Sequence, residues 1–310
     1  MELASDPPPA EGMTWIPGGS FLMGSEDFYP EERPVRRVSV DGFWMDEHQV
    51  TAAEFRLFIR ETTYETFAER PLDAEQYPDA DPDLLVPGSL VFRKTAGPVN
   101  LDDHRNWWEY VPGAYWKRPG GQGTTVNGRD RHPVVHVAYE DAEAYAAWAG
   151  KELPTEAEWE FAARGGLDGA VFSWGDEHFP AGKAMANAWQ GEFPWQNLKL
   201  DGHEGTSPVG SFPANGYGLF DMAGNVWEWT DDWYGTSAPA DVATPPAGCC
   251  GPVDVGRPPD ERFPRRVIKG GSHLCAPNYC LRYRPAARQA QTIDTSTAHI
   301  GFRCIVRPSP

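Results

Sequence analysis

Cysteine is scarce in this chain, with five in 310 residues, an odd number. That excludes the dense disulfide framework of a small secreted domain. Lys and Arg number 27 against 45 Asp and Glu, for a formal net charge of −18. Binding along a phosphate backbone needs clustered cations, so no nucleic-acid partner is expected. No apolar segment reaches membrane-spanning length, so no membrane partner is expected either. The opening "MELASDPPPAEG" has neither the basic nor the apolar region of a signal peptide. The expectation is a cytosolic, monomeric protein, with residues 1–11 as a disordered leader.

The chain is rich instead in Trp (13), Gly (32) and Pro (30). Gly and Pro divide a chain into short elements and ordered loops, and indole rings pack such irregular parts. No internal repeat and no compositional shift marks a boundary. The expectation is one α+β domain over residues 12–310, with little regular secondary structure.

Local patterns predict the elements. "MTWIPGGSFLMGS" (13–25) alternates apolar residues around Gly-Gly and predicts a hairpin. "HQVTAAEFRLFIRETTY" (48–64) predicts a helix with a capping box from Thr51 to Glu54. Residues 71–88 are acidic, Pro-rich and aperiodic, and read as a surface loop. Residues 132–166 read as a strand, a helix ending at Gly150, and a second helix capped by Thr155 and Glu158. Residues 167–262 read mainly as loops and short strands. "RRVIKGGS" (265–272) and "GFRCIVRP" (301–308) read as closing strands.

Three stretches carry chemistry. In "GNVWEWTDDW" (224–233), with Asp221 upstream, Asp221 and Glu228 offer hard oxygens. Gly224 and Val226 offer carbonyls between them, which is how a turn builds a calcium site. An acidic turn that is only solvated fits the same spacing. In residues 186–205, Asn187 and Asp201 are oxygen donors on a loop, and a polar surface loop is the simpler reading. In "GGSHLCAPNYCLRYRPAARQ" (270–289), four residues separate Cys275 from Cys280. Pro277 and Asn278 favour a turn that brings the sulfurs together. Zinc needs two further ligands, and His273 and His299 form no familiar zinc spacing. A local disulfide and an exposed, converging thiolate pair for soft Cu(I) both fit, and spacing does not separate them. Cys249 and Cys250 are adjacent, a strained geometry for a mutual bond. Cys304, in an apolar strand, reads as a buried free thiol. Ser-His-Asp and phosphate-loop spacings are absent from the sequence.

From "MTWIPGGSFLMGS" to "GFRCIV" the sequence resembles the formylglycine-generating enzymes, or sulfatase-modifying factors. "HPVVHVAYEDAEAYAAWAGKELPTEAEWEFAARGG", "NGYGLFDMAGNVWEWT" and "GFR" are similar to a wider superfamily that includes iron-dependent sulfoxide synthases and non-enzymatic lectin-like proteins. "NAWQGEFP" and "KGGSHLCAPNYCLRYRPAAR" are similar to the copper-dependent oxidase branch.

The resemblance implies the irregular C-type-lectin-like fold and oxidation of a client cysteine to Cα-formylglycine, with O2 as co-substrate. It implies a client sulfatase presenting Cys-x-Pro-x-Arg, and Cu(I) held by Cys275 and Cys280 with the client thiolate as a third soft ligand. It implies Ser272 as a polar contact for oxygen or substrate. It also implies two structural calcium ions, one at Asn187, Ala188, Asp201 and His203, the other at Asp221, Gly224, Val226 and Glu228. Residues 106–116, "NWWEYVPGAYW", are expected to wall the substrate groove, and the acidic surface to favour the client's Arg. Ala146, Ala163 and Pro285 stand where secretory relatives have cysteines, so Cys304 has no family partner; His299 stands where relatives often carry Asn. The rival is a lectin-like binding protein with Cys275–Cys280 as an inert disulfide. A third reading, an iron-dependent oxidase of the same fold, needs a histidine cluster that the sequence does not display.

Overall fold

The structure is a computed structural model and describes residues 8–78, 81–235 and 263–308. The larger part of the leader, residues 1–7, and both Cys249 and Cys250 lie outside the described residues. In chain order the strands and helices are β1 (Met13–Ile16), β2 (Gly19–Met23), β3 (Arg36–Val40), β4 (Phe43–Asp46), α1 (Ala52–Thr62), β5 (Gly88–Phe92), β6 (Trp108–Pro112), α2 (Tyr139–Trp148), α3 (Glu156–Arg164), β7 (Trp227–Trp233), β8 (Arg265–Lys269), β9 (Arg288–Thr292), β10 (Ile300–Gly301) and β11 (Ile305–Val306). All are short, as the Gly and Pro content requires.

Both predicted capping boxes form. Glu54 N–H donates to Thr51 Oγ1 at 3.3 Å, and Thr51 N–H donates to Glu54 Oε2 at 2.7 Å. Thr155 and Glu158 repeat the pattern at 3.2 and 2.7 Å. The α3 helix ends at Gly165 (φ +57°), where a Cβ would meet Gly216 N at 2.8 Å. Phe55 and Phe58 on one face of α1 are buried with Trp116, Tyr145 and Phe302 in the largest core cluster. Phe55 meets Trp116 at 5.5 Å and Phe302 at 6.5 Å. Truncating such a ring to Ala costs about 3–5 kcal/mol.

Three expectations need correction. The hairpin over 13–25 does not form: β1 pairs with β4 and β2 with β3, both antiparallel. The Gly18–Gly19 turn passes the chain from one sheet to another, with Gly18 packed so closely that a Cβ would meet Gly42 N at 2.8 Å. The strand predicted at the start of 132–166 is irregular backbone. Its hydrogen bonds go to separate places: His132 O accepts from Ala52 N, Val134 N donates to Val50 O, and His136 N donates to Thr297 O. Residues 50–52 run beside it for a single antiparallel bridge, Thr51 to Pro133, after which the chain departs, and His136 sits at φ +62°. The "GFRCIVRP" strand is broken into β10 and β11, because Arg303 turns inward between them and is fully buried.

Among the described residues the architecture is four small sheets and three α-helices. One sheet has the order β1-β4-β11, and the largest has β10-β7-β8-β9, with β10 parallel to β7. Pairs β2-β3 and β5-β6 complete it. Among the described residues of the 71–88 loop, the one helical element before β5 is the 3-10 turn Pro82–Leu84. The β8 strand matters most for function, because it delivers the chain to the two cysteines.

Candidate functional site

After Lys269 the chain turns inward through Gly270 and Gly271, at φ +89° and +68°. A Cβ on Gly271 would strike Tyr283 N at 2.7 Å, so only glycine allows this approach. Ser272 to Ala276 are then all buried. The predicted turn forms: Tyr279 N donates to Ala276 O at 3.0 Å and Cys280 N to the same oxygen at 2.6 Å. It brings Cys275 Sγ and Cys280 Sγ to 3.2 Å. That is well beyond the roughly 2.05 Å of an S–S bond, and both cysteines are free. The expectation of an exposed pair is corrected. Cys275 and Cys280 are 3% and 7% exposed, with only Pro277, Asn278 and Tyr279 between them reaching solvent.

The two sulfurs differ. The hydrogen bond from Cys275 holds the Cys280 thiol below its ordinary value; burial opposes this, and the Arg282 charge adds to it. Burial, together with its hydrogen bond to Cys280, pushes the Cys275 thiol well up. The pair therefore favours a thiolate on Cys280 accepting the Cys275 proton. Ser272 acts here through its backbone: its N–H points at Cys275 Sγ (3.5 Å), while its Oγ accepts from Leu274 N (3.2 Å).

Aromatic residues enclose the loop. The Tyr279 ring stacks on Phe193 at 4.7 Å and meets Trp107 edge-on at 5.4 Å. Trp108 packs on His299 at 4.8 Å. Trp116, by contrast, lies in the main core against Phe55. The 106–116 stretch thus divides, one end at the site and the other in the core. Trp189 N donates to Cys275 O at 3.0 Å, and the indole Nε1 of Trp189 is buried without a partner. A cleft of about 470 Å³ opens beside this indole, lined also by His273, Phe92, Arg129 and Glu204. Burial holds His273 down to about 4 and His299 down to about 3, so both are neutral near pH 7. Among the described residues no group of three His, Cys, Asp or Glu side chains converges as a metal site.

Soft donors without a third charged ligand suit a two-coordinate monovalent ion better than tetrahedral zinc.

The calcium ligand sets differ from each other. At the first, Asp201 Oδ1 accepts from His203 N (2.9 Å), while Asp201 Oδ2 is buried without a partner. Burial raises the Asp201 carboxyl above its ordinary value. A cation there would satisfy that oxygen. The two sets touch: a Cβ on Gly224 would meet Asn187 O at 2.2 Å, and Asn225 N donates to that same oxygen at 2.8 Å. At the second, Glu228 does not fit as a ligand. Its carboxylate already takes four donors: Arg303 Nε (2.7 Å), Arg303 Nη2 (2.8 Å), Trp159 Nε1 (2.7 Å) and Gln49 Nε2 (2.9 Å). Those fill about four lone-pair positions. Asp221 Oδ2 accepts from Gly210 N at 2.7 Å.

Sequence reasoning missed Arg282, Glu31 and Tyr29, which surround Cys280. The arginines after the cysteines are visible in the sequence, but their partners lie some 250 positions away and carry no local signal. Cys304 is buried and free as expected, and burial pushes its thiol well up.

The comparisons with known proteins fit this geometry. The family described as "Sulfatase-modifying factor enzyme 1-like domain" matches residues 2–308. A formylglycine-generating enzyme of Mycobacterium tuberculosis is 55% identical over 295 residues, covering 94% of this chain and 97% of that protein. A mouse relative named "Inactive C-alpha-formylglycine-generating enzyme 2" is 39% identical, covering 97% of this chain and 86% of that protein. The solved structure of PvdO from Pseudomonas aeruginosa superposes with a TM-score of 0.62 at 25% identity, covering 96% of this chain and 94% of that one. Relatives of this chain thus include one named as an enzyme and one named as inactive. On the family match over residues 2–308 and on the identity over 94% of its residues, this chain belongs to the formylglycine-generating enzymes of the sulfatase-modifying factor family.

Proposed function

We propose that the chain oxidises the cysteine of a Cys-x-Pro-x-Arg segment in a client sulfatase to Cα-formylglycine, and that Cys275 and Cys280 hold Cu(I) for that reaction. The observation that carries the reading is the pair of free, buried sulfurs 3.2 Å apart.

Bound there, the ion would supply a soft, redox-active centre for a client thiolate and O2. The chain's own residues do the rest. Cys280 is the readier of the two to ionise, and loading a metal releases whatever thiol protons the pair still holds, as ligand thiols bind deprotonated. Burial of Ser272–Ala276 keeps bulk water from the sulfurs. The Tyr279–Phe193–Trp107 stack holds the outer side of the loop in place. Across the reaction, two electrons and two protons leave the client's CH2–SH unit with O2 as acceptor. Hydrolysis of the resulting thioaldehyde gives the aldehyde and releases hydrogen sulfide. The net charge of −18 favours a client segment bearing Arg. The free Asp201 Oδ2 supports a structural calcium ion at Asn187, Ala188, Asp201 and His203. Among the described residues, no helix is long and apolar enough to cross a membrane.

The rival is a non-catalytic binding protein, favoured by the inactive relatives of the same fold. Incubating the Cu(I)-loaded protein with a Cys-x-Pro-x-Arg peptide separates the two. Aldehyde detected by mass spectrometry supports the oxidase. Its absence, with a melting temperature that tracks the redox state of Cys275 and Cys280, supports the binding protein.

A further inference from the structure

Two residues beyond Cys280, the Arg282 side chain is tied to the opposite end of the chain. It pairs with Glu31, and both side chains are 21% exposed. Its guanidinium lies 4.0 Å from the Tyr29 ring centre, and Tyr29 Oη accepts from Leu281 N at 2.9 Å. The neighbouring turn is held as firmly. Arg284 forms a two-pronged pair with Glu32, with Nη1 at 2.9 Å, and both side chains are buried. The Arg284 guanidinium sits 3.6 Å from the Phe28 ring centre. Arg288 Nη1 donates to Glu31 O at 3.4 Å. Residues 28–32, including the single-turn helix Pro30–Glu32, are thus a strap across the segment that leaves the cysteine pair.

The strap leaves Arg282 incompletely satisfied. Its Nε is buried and without a partner, and Glu31 and the Tyr29 ring hold the guanidinium two residues beyond Cys280. Two thiolates around a monovalent cation carry a net charge of −1, and a client thiolate would make that more negative. A buried net charge is costly unless a counter-ion sits beside it.

We propose that Arg282 is a positioning residue for the metal-holding pair, fixed by Glu31 and Tyr29, whose charge and free Nε–H offset the negative charge of the paired thiolates once a metal is bound. The strap at 28–32 then belongs to the active site although it is remote from both cysteines in sequence and acts on them only through Arg282. The proposal rests on the copper reading given above.

The test is Cu(I) affinity, measured against a chromophoric Cu(I) chelator, for wild type, Arg282→Gln, Arg282→Lys and Glu31→Gln, with melting temperatures alongside. Outer-shell partners of metal ligands typically govern about 10–100-fold in affinity. Arg282→Gln should weaken uptake by about that factor, Arg282→Lys should retain most of it, and Glu31→Gln should fall between. Glu31→Gln keeps the guanidinium, so it reports on the strap even where Arg282→Gln folds poorly. If wild type takes up no Cu(I), the copper reading fails and this inference with it. If wild type binds tightly and Arg282→Gln binds equally well, only this inference fails. Equal losses in Arg282→Lys and Arg282→Gln that follow melting temperature alone would make Arg282 a structural brace and also overturn it.

Discussion

Two of the chain's cysteine sites each stand near an arginine, the buried Arg303 and the partly buried Arg282, yet they differ in how that arginine is used. Cys304 follows Arg303, whose charge is fully matched: Nε and Nη2 hold Glu228, and the remaining donors reach the carbonyls of Asp46, Glu47, Phe220 and Asp221. Cys304 itself is alone, buried, and pushed toward the thiol form. Cys280 is paired with Cys275, and Arg282 keeps a buried nitrogen without a partner. Burial alone makes a cysteine inert. A second buried sulfur, beside an arginine that keeps one donor to spare, is what the proposed soft-metal site rests on.

The largest effect that would break this comparison is on turnover. Cys275→Ser and Cys280→Ser should each lower aldehyde formation to background and abolish stoichiometric Cu(I) uptake, because a protonated hydroxyl is a hard, poor ligand. Retained turnover in either variant would dissolve the distinction between the two sites. Next comes stability at the other arginine. Glu228→Gln leaves Arg303 buried and unpaired and should cost about 3–5 kcal/mol in denaturant unfolding. A loss under about 1 kcal/mol would show that Arg303 is matched by its carbonyls alone. Calcium gives a smaller effect. At about 100-fold over its dissociation constant, a bound ion adds about 2.7 kcal/mol. EDTA should therefore lower the melting temperature of wild type, and Asp201→Asn should remove that response. Glu228→Gln should keep it, because Glu228 serves Arg303. The smallest effect is at Cys304. Cys304→Ala should leave turnover unchanged, and alkylation of the native protein should label Cys280 before Cys275 and Cys304 last, read by peptide mass spectrometry.

Local patterns in the sequence carry part of this. The Thr51–Glu54 and Thr155–Glu158 boxes each close within one turn, so their residues suffice to predict them. The turn over Pro277–Asn278 is local too, and it does bring the sulfurs together. The 13–25 hairpin failed because alternation marks a strand but does not choose its partner, and β1 found β4 instead. The strand predicted at the start of 132–166 failed because its pairing with residues 50–52 stops after one antiparallel bridge and His136 then bonds to Thr297 instead.

The sequence alone pointed to the family, to the cysteine pair and to the ends of two of the helices, because each rests on residues close together in the chain. Only the tertiary structure decided that the sulfurs are buried, that Arg282 faces them under a strap some 250 residues away, and that Glu228 belongs to Arg303. Those outcomes depend on which distant side chains share a low-dielectric interior, where every charge must find its counter-charge, and nothing in a local pattern encodes that choice.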